Sequence, residues 1–262
     1  MNPLFLPLFE KPYLDDHGVF RFGGQSEGDH FDASDVALWK NGGFARNWES
    51  RSFLNHAASR RLVDCIVERE PYVIELACGP GMGLIPSVKK IDPRFPCLAT
   101  DANDDVLREW NRYLNDQNVD SLDFAQFSLF DIPLKSGAVR AYSSFIGISS
   151  TRNGEDGYAD ALSQIRRTLS GDGRLYTIEG EYSDIPKILG LFEKSGMTPW
   201  SCFLGEQLTW HDRFIKNGFE ILYEEPFESR KIKEDDNELG EAAVKYGVDV
   251  EMKFTAFVLK KR

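Results

Sequence analysis

Residues 73–83, Val-Ile-Glu-Leu-Ala-Cys-Gly-Pro-Gly-Met-Gly, constrain the fold more than any other stretch of this 262-residue chain. From Tyr72 to Ala77 the run is apolar except for Glu75, as in a parallel strand buried on both faces. Gly79, Gly81 and Gly83 then follow at every second position, and Leu84 to Lys90 can continue as a helix. A strand, a glycine turn and a helix bring backbone N–H groups and a helix N-terminus close to a ligand, because no Cβ stands between them. A second acid, Asp101, comes twenty residues after Gly81 and closes the short apolar run Cys97 to Thr100. A carboxylate at that distance falls where ribose hydroxyls are bound in a nucleotide-binding βαβ unit. The pattern predicts an α/β fold.

The glycine register narrows the choice of nucleoside. A dinucleotide fingerprint needs Gly-x-Gly-x-x-Gly. Counted from Gly79 the third glycine position is Leu84, and counted from Ala77 it is Met82, so neither register fits. The observed order, Glu75-x-Ala77-x-Gly79-x-Gly81 with Asp101 beyond it, resembles the first two motifs of class I S-adenosylmethionine-dependent methyltransferases. In that family Glu or Asp is followed by Gly-x-Gly-x-Gly, and Ala77 stands where the first glycine is common. The resemblance spans roughly residues 70–180 and is weaker in the flanks. It implies a Rossmann-like, mostly parallel sheet of seven strands, with helices on both faces and an N-terminal helical cap. Residues 1–69 would form an arm and cap within the same domain. Residues 70–262 would form the methyltransferase core, with an insertion around 184–210.

The resemblance also implies roles. Glu75 would engage the methionine end of S-adenosylmethionine, directly or through water. Ala77, Cys78, Gly79 and Gly81 would supply a close backbone wall. Asp101 would take the ribose hydroxyls, with Ala102 beside it. Family members carry an acid shortly after the third strand that accepts from the adenine amino group, and the residue before it packs on the ring. Phe130 and Asp131, in Phe-Asp-Ile-Pro-Leu, match that motif. Adenine offers an amino donor and a π-face, which a carboxylate and an apolar neighbour can recognise. Ser143, Ser144 and Phe145 close the fourth strand, at 139–146. They face the reaction centre because open α/β sheets bind ligands beyond the carboxyl ends of their strands.

The methyl group of a sulfonium is already activated, so no metal is required by the chemistry. His17, His30, His56 and His211 are scattered and none falls in a motif, so no catalytic residue is assigned. The net charge of −11 argues against a broad phosphate-binding surface. Members that methylate base amines carry Asp/Asn-Pro-Pro-Tyr/Phe after the fourth strand, and this chain does not. A small-molecule acceptor is therefore expected, with no nucleic-acid partner. The four cysteines, at 65, 78, 97 and 202, lie too far apart in sequence for a zinc or disulfide pattern, and suit a reducing cytoplasm. Pro3 and Pro7 break the apolar N-terminus, and no run reaches membrane-spanning length. Two other readings stay open: a protein that binds the cofactor without turnover, and a nicotinamide-dependent oxidoreductase, which Leu84 disfavours.

Elsewhere the pattern is coarser. Residues 1–29 read as an irregular arm rich in Pro and Gly. Helical stretches follow from Asp32 and at 48–68, where Phe44, Trp48 and Arg51 are candidates to close over the pocket. Further helices are expected at 104–115, with Asn103 as N-cap, and at 158–169, ended by Gly171-Asp-Gly173. Strands are expected near 97–100, 122–127, 174–179, 219–226 and 250–259. Phe192 to Met197 and Phe214 to Phe219 each read as a helix closing on glycine, and 234–238 as a solvated loop.

Overall fold

The computed structural model describes residues 2–11, 13–16, 18–22, 48, 56–117, 119–151, 154–234 and 237–262. Nine strands form one sheet: β1 Leu14–Asp16, β2 Val19–Arg21, β3 Val73–Glu75, β4 Cys97–Asp101, β5 Leu122–Gln126, β6 Val139–Phe145, β7 Leu169–Tyr182, β8 Phe219–Lys231 and β9 Glu251–Lys261. Their order across the sheet is β1-β2-β5-β4-β3-β6-β7-β9-β8. Strands β2 through β7 pair in parallel, and β9 runs antiparallel between β7 and β8. The expected Rossmann-like sheet is present, but it has nine strands rather than seven.

The two extra strands come from the stretch read as an irregular arm. Leu14–Asp16 and Val19–Arg21 form an antiparallel hairpin, with Asp16 opposite Val19 and Gly18 at φ +85°. A two-residue hairpin connection needs left-handed backbone, which Gly18 supplies. β2 then pairs in parallel with β5 and covers its edge. Strands of three residues are too short for alternation to announce them.

Helices pack on both faces. They are α1 Ala57–Arg69, α2 Ile85–Ile91, α3 Asp104–Asn115, α4 Gly154–Thr168, α5 Ile185–Ser195, α6 Trp210–Lys216 and α7 Glu238–Tyr246. Alternate strand residues divide between two buried layers. Val73, Ala99, Phe124 and Ile178 face α1, α2 and α3, whereas Ile74, Leu98, Ala125 and Leu175 face α4 and α6. A smaller third core joins α5, the 3₁₀ turn Ser201–Phe203 and α7 through Phe192, Phe203 and Leu239.

Helix ends follow local chemistry. Asn103 caps α3 as expected, its Oδ1 accepting from Asp105 N at 3.0 Å and Val106 N at 3.3 Å. Gly196, at φ +71°, ends α5, and Gly218, at φ +80°, follows α6. The glycine turn expected after α4 is absent, because β7 starts directly at Leu169 and runs through 171–173. Gly173 answers a close approach instead: a Cβ there would lie 2.6 Å from the Val139 carbonyl oxygen. Helix α7 was not expected, and it begins inside the run read as a loop. Of the three closing candidates, Phe44 and Arg51 lie outside the described residues. Trp48 packs its ring 6.1 Å from that of Trp110.

Candidate functional site

The strand order reverses at β3, which has β4 on one side and β6 on the other. In parallel sheets such a reversal opens a crevice beyond the carboxyl ends. The glycine turn sits there. A 3₁₀ turn at Gly79–Gly81 follows β3 and leads into α2, with Pro86 in the first turn where its missing N–H costs nothing. Ala77 has φ +47°, Gly79 +52°, Met82 +57° and Gly83 +53°. Ala77 thus occupies the left-handed backbone at the position where the family favours glycine, at a cost of about 1 kcal/mol.

Several N–H groups in and beside the turn are committed within the protein. Leu76 N donates to the Ser143 carbonyl and Cys78 N to the Thr100 carbonyl, each at 2.8 Å. Gly79 N donates to Asp101 Oδ2 at 2.9 Å, and Leu84 N to Glu75 Oε2 at 3.1 Å. At Gly79 a Cβ would meet nothing within 4 Å.

Glu75 is fully buried, and its Oε2 also accepts from the Ser143 hydroxyl. This carboxylate holds the turn: a Cβ on Gly83 would fall 1.7 Å from its Oε1. Thr100 closes the same knot by donating its hydroxyl to the Glu75 carbonyl at 2.7 Å.

Asp101 ends β4, 6% exposed. Its Oδ2 takes Gly79 N and its Oδ1 takes Asn103 N, both at 2.9 Å. Two backbone N–H donors fix its orientation. Ala102 follows, half-buried, and its carbonyl accepts from Gln126 Nε2 at 3.0 Å. Glu75, Ala77, Cys78, Gly79, Gly81, Asp101, Ala102 and Ser143 are thus brought together along the carboxyl ends of β3, β4 and β6.

Phe130 and Asp131 are placed differently. The Asp131 side chain is 72% exposed and paired with Lys11 at 2.6 Å. Phe130 is half-buried against the layer that contains Phe127 and Ile132. Of the histidines, His56 caps α1 through Nδ1, and His211 contacts Glu224 at 2.6 Å on the surface. His17 and His30 lie outside the described residues.

Sequence reading missed two groups here. Trp110, expected only to face inward, donates its indole N–H to the Gly79 carbonyl at 3.0 Å. Glu179, on β7, lies wholly buried; its Oε2 accepts from Ser149 N at 2.9 Å and its Oε1 from the Thr177 hydroxyl at 2.5 Å. Burial pushes its carboxyl up to about 7, against the two hydrogen bonds and a more distant Arg213. No spacing rule marks either residue. Among the described residues there is no group of three potential metal ligands, and no helix long and apolar enough to cross a membrane.

Comparison with known proteins agrees with this geometry. The chain resembles the MccD protein over 79% of its own length and 99% of that chain, with TM-score 0.55 and 15% identity. It resembles geranyl diphosphate methyltransferase in complex with SAM over 90% and 93%, with TM-score 0.54 and 14% identity. The [4+2]-cyclase SpnF matches over 78% and 80%, with TM-score 0.50 and 16% identity. Identities this low speak for the fold alone. No curated protein sequence matches the chain. The model of the ubiE/COQ5 methyltransferase family matches residues 49–196, more than half of the chain. Together with the glycine turn and its two carboxylates, that match makes the chain a member of the ubiE/COQ5 methyltransferase family, a class I enzyme that uses S-adenosylmethionine.

Proposed function

We propose that the enzyme methylates a small molecule by in-line transfer, with the cofactor lying across the carboxyl ends of β3 and β4. The observation that carries the site is Asp101: a buried carboxylate held by two backbone N–H groups, beside a glycine with open space on its Cβ side. A carboxylate held in place by backbone N–H groups can accept from the neighbouring hydroxyls of a ribose.

When bound, S-adenosylmethionine supplies a methyl group already activated by its sulfonium. The chain's own work is to bind, orient and exclude water. In this reading Asp101 accepts from the ribose hydroxyls, and Ala77, Cys78, Gly79 and Gly81 form the wall. Ala102 flanks the nucleoside. Glu75, locked by Ser143 and Leu84, fixes the wall's position from behind. Asp131, turned to Lys11, is left out of this set, and Phe130 with it.

The small-molecule acceptor is supported by the net charge of −11, which disfavours polyanions. The segment 184–210, much of it in the third core, is read as an insertion bordering the acceptor side, and residues 1–69 as the arm and cap of the same domain. Four cysteines without a disulfide suit a cytoplasmic enzyme. The test is transfer of labelled methyl from the cofactor to fractions of a cell extract. Label is expected in the low-molecular-weight fraction; label confined to protein or RNA would overturn the reading.

A further inference from the structure

We propose that Trp110 is a positioning residue of the cofactor site, whose indole N–H sets the depth of the Gly79 peptide. This inference rests on the site proposed above.

Trp110 stands within α3 and is fully buried. Its Nε1 donates to the Gly79 carbonyl at 3.0 Å, while Gly79 N donates to Asp101 Oδ2 at 2.9 Å. Gly79, with open space on its Cβ side, is therefore gripped through both of its polar backbone groups. That grip is needed. Glycine has the widest backbone freedom of any residue, and with no side chain to pack, Gly79 is located only by its hydrogen bonds. The other donor to its carbonyl, Met82 N, lies at 3.5 Å, the limit of a useful bond.

The indole cannot turn away. Its ring meets Tyr113 edge-on at 5.9 Å and 74°, and Trp48 at 6.1 Å and 53°. Without the indole bond, Asp101 alone would hold the glycine while also receiving the ribose. Any shift of the peptide would then drag the carboxylate. With the bond, the wall is set from α3 and Asp101 keeps its orientation for the ligand.

The test replaces Trp110 by β-(3-benzothienyl)alanine, which keeps the ring shape and loses only the N–H. Trp110→Phe serves as a second variant. Three quantities are measured in the full chain: affinity for S-adenosylhomocysteine, amide exchange at Gly79, and the urea midpoint. About a tenfold loss of affinity is expected in the isostere, the size of one hydrogen bond, with faster exchange at Gly79. Unchanged affinity, or a loss confined to the urea midpoint in both variants, would overturn the role. Failure of the wild-type protein to bind S-adenosylhomocysteine would instead contradict the site itself.

Discussion

The two flanks of β3 use buried carboxylates in different ways. On the β4 side, β3 and β4 are three and five residues long, and their acids Glu75 and Asp101 accept from backbone N–H groups in and beside the glycine turn. On the other flank, β7, β8 and β9 run to 14, 13 and 11 residues. There Glu179 accepts from Ser149 N, at the start of the 3₁₀ turn Ser149–Thr151 that follows β6. Arg213 forks onto Glu155 and lies over the rings of Tyr158 and Trp210 at 4.7 and 4.5 Å. Glu75 and Asp101 shape the glycine turn. Glu179 and Arg213 fasten segments to each other.

That contrast is open to direct challenge. The largest effect belongs to the β4 side. Gly83→Ala places a methyl 1.7 Å from Glu75 Oε1 at a left-handed residue. We expect a loss of about 3 kcal/mol or more in urea unfolding, together with loss of S-adenosylhomocysteine binding. A variant of near wild-type stability would show that Glu75 does not hold the turn.

Next comes Glu179→Gln on the other flank. The Glu179 carboxyl is raised from 4.5 to about 7, so between those values the folded state holds more protons than the unfolded one. Its contribution is then fully favourable below the unfolded value and is lost as pH rises through the folded one. Gln keeps an acceptor for Ser149 N and does not titrate. Between pH 5 and pH 8 the variant should gain about 3 kcal/mol on the wild type. Parallel stability curves across that range would contradict the burial argument.

Asp101→Asn, in the turn itself, should weaken S-adenosylhomocysteine about 30-fold, as expected for a hydrogen bond to a charged group. Asp131→Asn, on the exposed pair with Lys11, should change it by less than about twofold. Equal losses in a calorimetric titration would restore Asp131 to the site.

The smallest effect is Ala77→Gly. Relief of the left-handed alanine is offset by the entropy of a new glycine, leaving a gain between zero and about 1 kcal/mol. A clear loss would mean that packing of the Ala77 methyl against the layer facing α4 and α6 outweighs the strain.

The same contrast explains what was legible in the sequence. Backbone that must turn left-handed, or approach closely, demands glycine or an acid at fixed spacing, so Glu75, Gly79, Gly83 and Asp101 stood out. Strands β3 to β7 were recognised because each carries an apolar run or a flanking turn. The hairpin β1–β2 was not, since three residues show no period. Asp131 fits the motif by its distance from β5, and its exposed carboxylate pairs with Lys11, 120 positions earlier, which no spacing announces. Trp110 and Glu179 act through single hydrogen bonds to distant backbone, and such bonds leave no trace in spacing.

The most direct test is a crystal structure of the protein with S-adenosylhomocysteine. The ribose hydroxyls should lie within hydrogen-bonding distance of the Asp101 carboxylate, with the nucleoside against the bare face of Gly79. A ribose bound elsewhere, out of reach of the Asp101 carboxylate, would contradict the account.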